Sequence, residues 1–131
     1  MTTTTNESPA ERGEATIKRV LAQSGDQVRR NLAASPRLAR YIVEAIYGDV
    51  FSDQTLDDRT RELVTVVALA TLGTARPQLE THIGGALHCG WSREQIVEMM
   101  VQLAPFAGVA AAINGTEAAQ AVFRKLDATP A

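Results

Sequence analysis

Apolar residues recur at three- and four-residue steps along most of the chain, and no stretch alternates apolar with polar residues in the two-residue rhythm of a strand. The pattern predicts an all-α fold. Ser8-Pro9-Ala10-Glu11 carries a helix start: Ser8 as cap, Pro9 at the first helical position, and Glu11 placed to reach back to the cap. The helix to about Gln23 has few large apolar residues (Ile17, Val20, Leu21), so it is expected on the outside of the molecule. Gly25 is expected to interrupt it, and Val28 to Ala34 to add a short helical stretch. Ser35-Pro36 repeats the start signal, and Leu38, Tyr41, Ile42, Ala45 and Ile46 then form a helical stripe ending at Gly48. Asp49 to Thr55 reads as a loop whose Val50 and Phe51 must dock somewhere.

The next helix begins near Asp57, with acidic residues at its positive end, and is apolar nearly all round from Leu63 to Leu72. That composition predicts a central, buried helix stopped by Gly73. Arg76 to Cys89 forms another helix, with Pro77 in its first turn and Gly90 at its end. Ser92-Arg93-Glu94-Gln95 is a capping-box start for a helix carrying Ile96, Met99, Met100 and Leu103. Pro105 and Gly108 are expected to break or kink the chain, and Val109 to Leu126 forms a last helix rich in Ala and Gly.

Composition narrows the function classes. The 131 residues make one domain over residues 9–127, preceded by a disordered, Thr-rich tail over residues 1–8. Thirteen basic against fifteen acidic residues argue against a nucleic-acid partner. Apolar stretches fall far short of a membrane span, and Met1 to Pro9 lacks a secretory signal, so a cytoplasmic location is expected. The single cysteine, Cys89, excludes an internal disulfide and a Cys-x-x-Cys redox pair.

Two residues stand out chemically. His82 shares a helix face with Gly85 and Cys89, and the mid-helix pair Gly84-Gly85 costs about 1 kcal/mol per glycine relative to Ala, a cost that close approach of a backbone or ligand would explain. Glu62 sits where its helix passes from charged to apolar, a border on which a carboxylate is half-buried and suited to acid–base work or to orienting a histidine. A satisfied core histidine and a Glu62 ion pair with a nearby arginine are the alternatives. His88 lies about 120° around the helix from His82, a poor spacing for joint metal binding. Cys89 is a nucleophile only if a partner lowers its pKa, and is otherwise a small buried residue. Arg59 and Arg61 could anchor a substrate carboxylate or form surface ion pairs. Trp91 is expected to cover a helix end with its indole N–H outward, and it joins His88 and Cys89 as a candidate substrate contact.

From Asn31 to about Leu126 the sequence resembles the carboxymuconolactone decarboxylase family, related in fold to the alkylhydroperoxidase D-like proteins. The resemblance is carried by LDDRTRELVTVVAL (Leu56 to Leu69), PQLETHIGGALHCGWSREQI (Pro77 to Ile96) and QLAPFAGVAAAINGTEAAQAVF (Gln102 to Phe123). It implies a small all-helical subunit in a trimer or hexamer, and a lyase that removes CO₂ from a carboxylated lactone through an enolate, without a cofactor. Glu62 and His82 match the Glu and His of the peroxidase relay, whereas its two cysteines would fall near Ala75 and Gln78, which excludes dithiol peroxidase chemistry. On this resemblance His82 is the proton donor or oxyanion partner, Glu62 sets its orientation, and Arg59 or Arg61 anchors the anion. Gly84-Gly85 replaces an arginine of the family pattern and His88-Cys89 an Asn-rich pair, which implies a larger or less charged substrate. Two rival expectations follow: a cyclase, isomerase or dehydratase on the same scaffold, and a non-catalytic oligomeric binding subunit. A homo-oligomer is expected in each case, because the last helix and the Val50-Phe51 loop leave apolar surface uncovered.

Overall fold

The computed structural model describes residues 6–129. Of the tail expected over residues 1–8, residues 1–5 lie outside this span. Among the described residues seven α-helices follow in order: α1 (Pro9–Leu21), α2 (Ser24–Asn31), α3 (Pro36–Tyr41), α4 (Asp58–Leu72), α5 (Arg76–His88), α6 (Arg93–Ala107) and α7 (Val109–Ala128). Between α3 and α4 the chain winds as a π-helical segment, Ile42–Phe51. No strand occurs among the described residues, and none of their helices is long and apolar enough to cross a membrane.

The helix starts follow local chemistry. Ser8 and Glu11 form the expected capping box on α1, and Ser92 with Gln95 forms another on α6. Asp57 caps α4 by accepting from the Thr60 N–H at 2.7 Å. Gly73 ends α4 at φ 75°, a conformation glycine adopts without strain. The turn at Gly73 folds α4 onto α5, and Gly108 folds α6 onto α7. These four helices enclose one core, centred on Val66, Ile83, Ile96, Met100 and Ala118.

A second core corrects the expectation for α1. Ile17, Val20 and Leu21 are all buried and pack with Tyr47 and Phe51 of the π-segment. The count of large apolar residues understated this helix, because glycines let it seat deeply. A methyl added at Gly13 would overlap the Val43 carbonyl, and one at Gly48 would stand 2.8 Å from the Pro9 carbonyl oxygen. Arg12 fastens the crossing, its Nε donating to the Gly48 carbonyl and its Nη2 to Asp49 Oδ1 at 3.0 Å.

Other expectations also change. The helix expected to stop at Gly48 continues to Phe51 by widening its turns, so Phe51 is not on a loop but inside the second core. The break near Gly25 falls instead at Ala22, whose φ is 48°, and Gly25 lies inside α2. Helix α4 is buried on one face only: Glu62, Val66 and Ala70 point inward, while Val64 and Leu72 are exposed. Pro105 does not break α6, because the bond its nitrogen cannot make belongs to the final turn, and the helix ends at Gly108.

The glycine crossing yields a stability prediction. Gly13→Ala should cost about 3 kcal/mol by forcing α1 off the π-segment. Gly73→Ala, with open space around the added methyl, should cost about 1–2 kcal/mol through its left-handed backbone alone. Urea denaturation of both variants checks the ranking; equal losses would contradict the packing.

Candidate functional site

The two cores meet at a buried pair. Glu62 stands one turn into α4 on the inward face and has no exposed surface. His82 lies midway along α5, the helix packed against α4, and is 9% exposed. Its Nδ1 is 3.0 Å from Glu62 Oε2 and 3.2 Å from Oε1. Nδ1 is the ring atom that meets the carboxylate, which leaves Nε2 as the nitrogen not bonded to it.

Space for the carboxylate comes from Gly85. A methyl there would lie 2.7 Å from both Glu62 Oε2 and Leu21 Cδ2. At Gly84 a methyl would overlap the Ser24 hydroxyl of α2. The mid-helix glycines therefore admit side chains of neighbouring helices, one of them the acid that holds His82.

The π-segment covers the ring. Tyr47 and Phe51 stack at 4.8 Å between centroids, and Phe51 stacks on His82 at 6.0 Å. Tyr47 Oη lies 3.5 Å from His82 Nε2. Burial, reinforced by the charge of Glu62, raises the Tyr47 phenol well above its ordinary range, so it stays protonated at neutral pH.

His82 and Tyr47 border a cavity of about 250 Å³, walled by Val28 of α2, Leu32 just past its end, Ile42 and Ile46 of the π-segment, and Pro77 of α5. Asn31, Gln78, Thr81, Tyr47 and His82 supply its polar lining. Gln78 stands where the resemblance sets one of the peroxidase cysteines. No Lys or Arg is among the described residues lining it, and no three His, Cys, Asp or Glu side chains gather as a metal-binding group among the described residues.

Glu62 and His82 are thus the candidates that the fold brings together. The others lie elsewhere. Arg59 stacks its guanidinium 3.7 Å over the Trp91 ring, and the Trp91 indole N–H donates to the Arg59 carbonyl at 2.8 Å rather than pointing outward, because the start of α4 passes beneath it. Arg61 donates to the Asp53 carbonyl through Nε at 3.0 Å and Nη2 at 2.8 Å. His88 is exposed at the end of α5. Cys89 caps that helix with its Sγ 3.6 Å from the Val20 carbonyl. Tyr47 and Phe51 had no sequence signal tying them to the histidine; Phe51 was visible only as an apolar residue needing a place to dock.

Residues 36–121 match the carboxymuconolactone decarboxylase family. Among curated relatives, an uncharacterised 15.0 kDa protein from the nqo9–nqo10 intergenic region of Paracoccus denitrificans is 32% identical over 93 residues, covering 70% of this chain and 69% of that protein. The 4-carboxymuconolactone decarboxylase of Acinetobacter baylyi is 28% identical over 90 residues, covering 69% of this chain and 66% of its own.

Cys89 gives the prediction for this region. Burial, then the charges of Glu62 and Asp58, push its thiol up to about 11. The thiolate fraction therefore stays small through the neutral range and rises only toward that value. Iodoacetamide at pH 8 should modify Cys89 about 100-fold more slowly than an unperturbed thiol, with the rate climbing as pH rises. A rate equal to that of free cysteine would contradict the packed position.

Proposed function

The chain belongs to the carboxymuconolactone decarboxylase family, and on that premise we propose that it is a cofactor-free acid–base enzyme removing CO₂ from a carboxylated lactone or related cyclic substrate through an enolate. The observation that carries the reading is the buried Glu62–His82 pair, joined through Nδ1, whose imidazole also lines a cavity. A relative named as a 4-carboxymuconolactone decarboxylase supports the choice of substrate class.

The bond between ring carbon and carboxylate breaks, CO₂ leaves, and the electron pair delocalises onto the lactone carbonyl as an enolate. A proton from Nε2 of the His82 imidazolium then reaches the ring carbon, and solvent restores it. Glu62 fixes the orientation of the ring, as a carboxylate behind a catalytic histidine does. The walls formed by Val28, Leu32, Ile42 and Ile46 offer a departing carboxylate no solvation, which favours neutral CO₂.

A second reading rests on one observation. The described lining carries no cation for a substrate carboxylate, which favours an isomerase, cyclase or dehydratase acting on an uncharged carbonyl compound through the same enolate.

Carboxylated muconolactone with purified protein should release CO₂. His82→Gln should lower kcat by about 10²- to 10⁴-fold, and Glu62→Gln by about 10²-fold or more, since the ring loses its charged partner. No CO₂ with wild type favours the second reading; full activity in His82→Gln sinks both. We also propose a homo-oligomer, supported by the exposed Val64, Leu72, Val109 and Ile113 and by Phe106, which is 86% exposed. Sedimentation velocity should give a multiple of 14.1 kDa; a single monomeric species at micromolar concentration would overturn it.

A further inference from the structure

The acid–base pair leaves one chemical demand unmet. Negative charge growing on a substrate oxygen needs a donor, and His82 cannot both hold that oxygen and deliver its Nε2 proton to carbon. Thr81 lines the cavity, yet its hydroxyl already donates to the Pro77 carbonyl at 3.1 Å. Asn31 and Gln78 are exposed, so water competes for their amide N–H groups. Tyr47 differs from all three. It is 3% exposed, lines the cavity beside His82, and its hydroxyl has no hydrogen-bond partner among the described residues except His82 Nε2 at 3.5 Å.

That separation is roughly 0.7 Å beyond an ordinary hydrogen bond from a hydroxyl. It is a weak contact, which a bound oxygen would replace with a shorter one. Two groups 3.5 Å apart can serve neighbouring atoms of one small enolate, one holding the oxygen and the other reaching the carbon. Phe51 packs against both rings and fixes their spacing.

We infer that Tyr47 is a catalytic residue of this site, donating its phenolic hydrogen to the enolate oxygen while His82 handles the proton at carbon. The inference rests on the acid–base reading of the site. No bond of Tyr47 breaks: the proton stays on the phenol, and its hydrogen bond shortens as charge builds on the substrate oxygen. The class of ligand so recognised is a small cyclic compound with an anionic, delocalised oxygen, enolate or phenolate alike.

The test uses the full chain and 4-nitrophenol, whose phenolate imitates the enolate and whose absorbance reports its ionisation. Wild type should bind the phenolate form. Tyr47→Phe keeps the ring that stacks on Phe51, and should retain its thermal melt while binding phenolate about 10-fold or more weakly, the expected loss of a hydrogen bond to a charged group. With a turned-over lactone, the same variant should lose about 10²-fold in kcat with little change in KM. Equal phenolate affinity in the two proteins, or none in wild type, overturns the assignment. If phenolate binding depends on Tyr47 while no CO₂ is ever released, decarboxylation fails and Tyr47 keeps its role.

Discussion

A carboxylate without exposed surface must be met by a group able to share its charge, or its desolvation goes unrepaid. Glu62 is in that position, and the imidazole of His82 meets it. Much of the architecture follows. Helices α4 and α5 must face each other at those two residues, position 85 must lack a side chain, and something must cap the ring from above. The π-segment supplies that cap with Tyr47 and Phe51. A charge buried in this way ties folding to chemistry, since the contact that orients the imidazole also keeps the acid satisfied.

Several helix ends, though not those expected at Gly25 and Gly48, were readable because capping is local. Ser8, Asp57, Ser92 and Gly73 act within one turn, and the structure uses each as its side chain or backbone suggests. The acid–base pair was also legible, through a carboxylate at a charged-to-apolar border and two glycines in a helix that has no local need for them. Nothing local marks the π-segment. Its wider winding alters hydrogen-bond partners without altering composition, so Val50 and Phe51 read as loop and Tyr47 went unnoticed. Burial of α1 was hidden for a related reason: its depth is set by Gly13 and Gly48, small residues that apolar counts ignore.

Helix α4 shows the limit of the apolar pattern in another way. Its sequence is apolar around most of its circumference, yet Val64 and Leu72 face outward. Its remaining face, with Leu63 and Val67, borders a separate apolar groove of about 520 Å³ between α4 and α6, at whose edge Trp91 and Phe106 stand. The charged end of α4 follows a different logic. Arg59 and Arg61 are occupied by Trp91 and by Asp53, so the cationic residues nearest in sequence to Glu62 serve the helix start and its adjoining loop.

The match to the family begins at residue 36, whereas Val28 and Asn31 of α2 and Leu32 just past its end stand in the cavity wall, and α1 packs against the π-segment. Three residues of the wall thus come from outside the family match, while Ile42, Ile46, Tyr47, Pro77, Gln78 and Thr81 come from within it, beside Glu62 and His82. Substitutions at Val28, Asn31 or Leu32 would recontour one side of the hollow while leaving the contact between Glu62 and His82 in place.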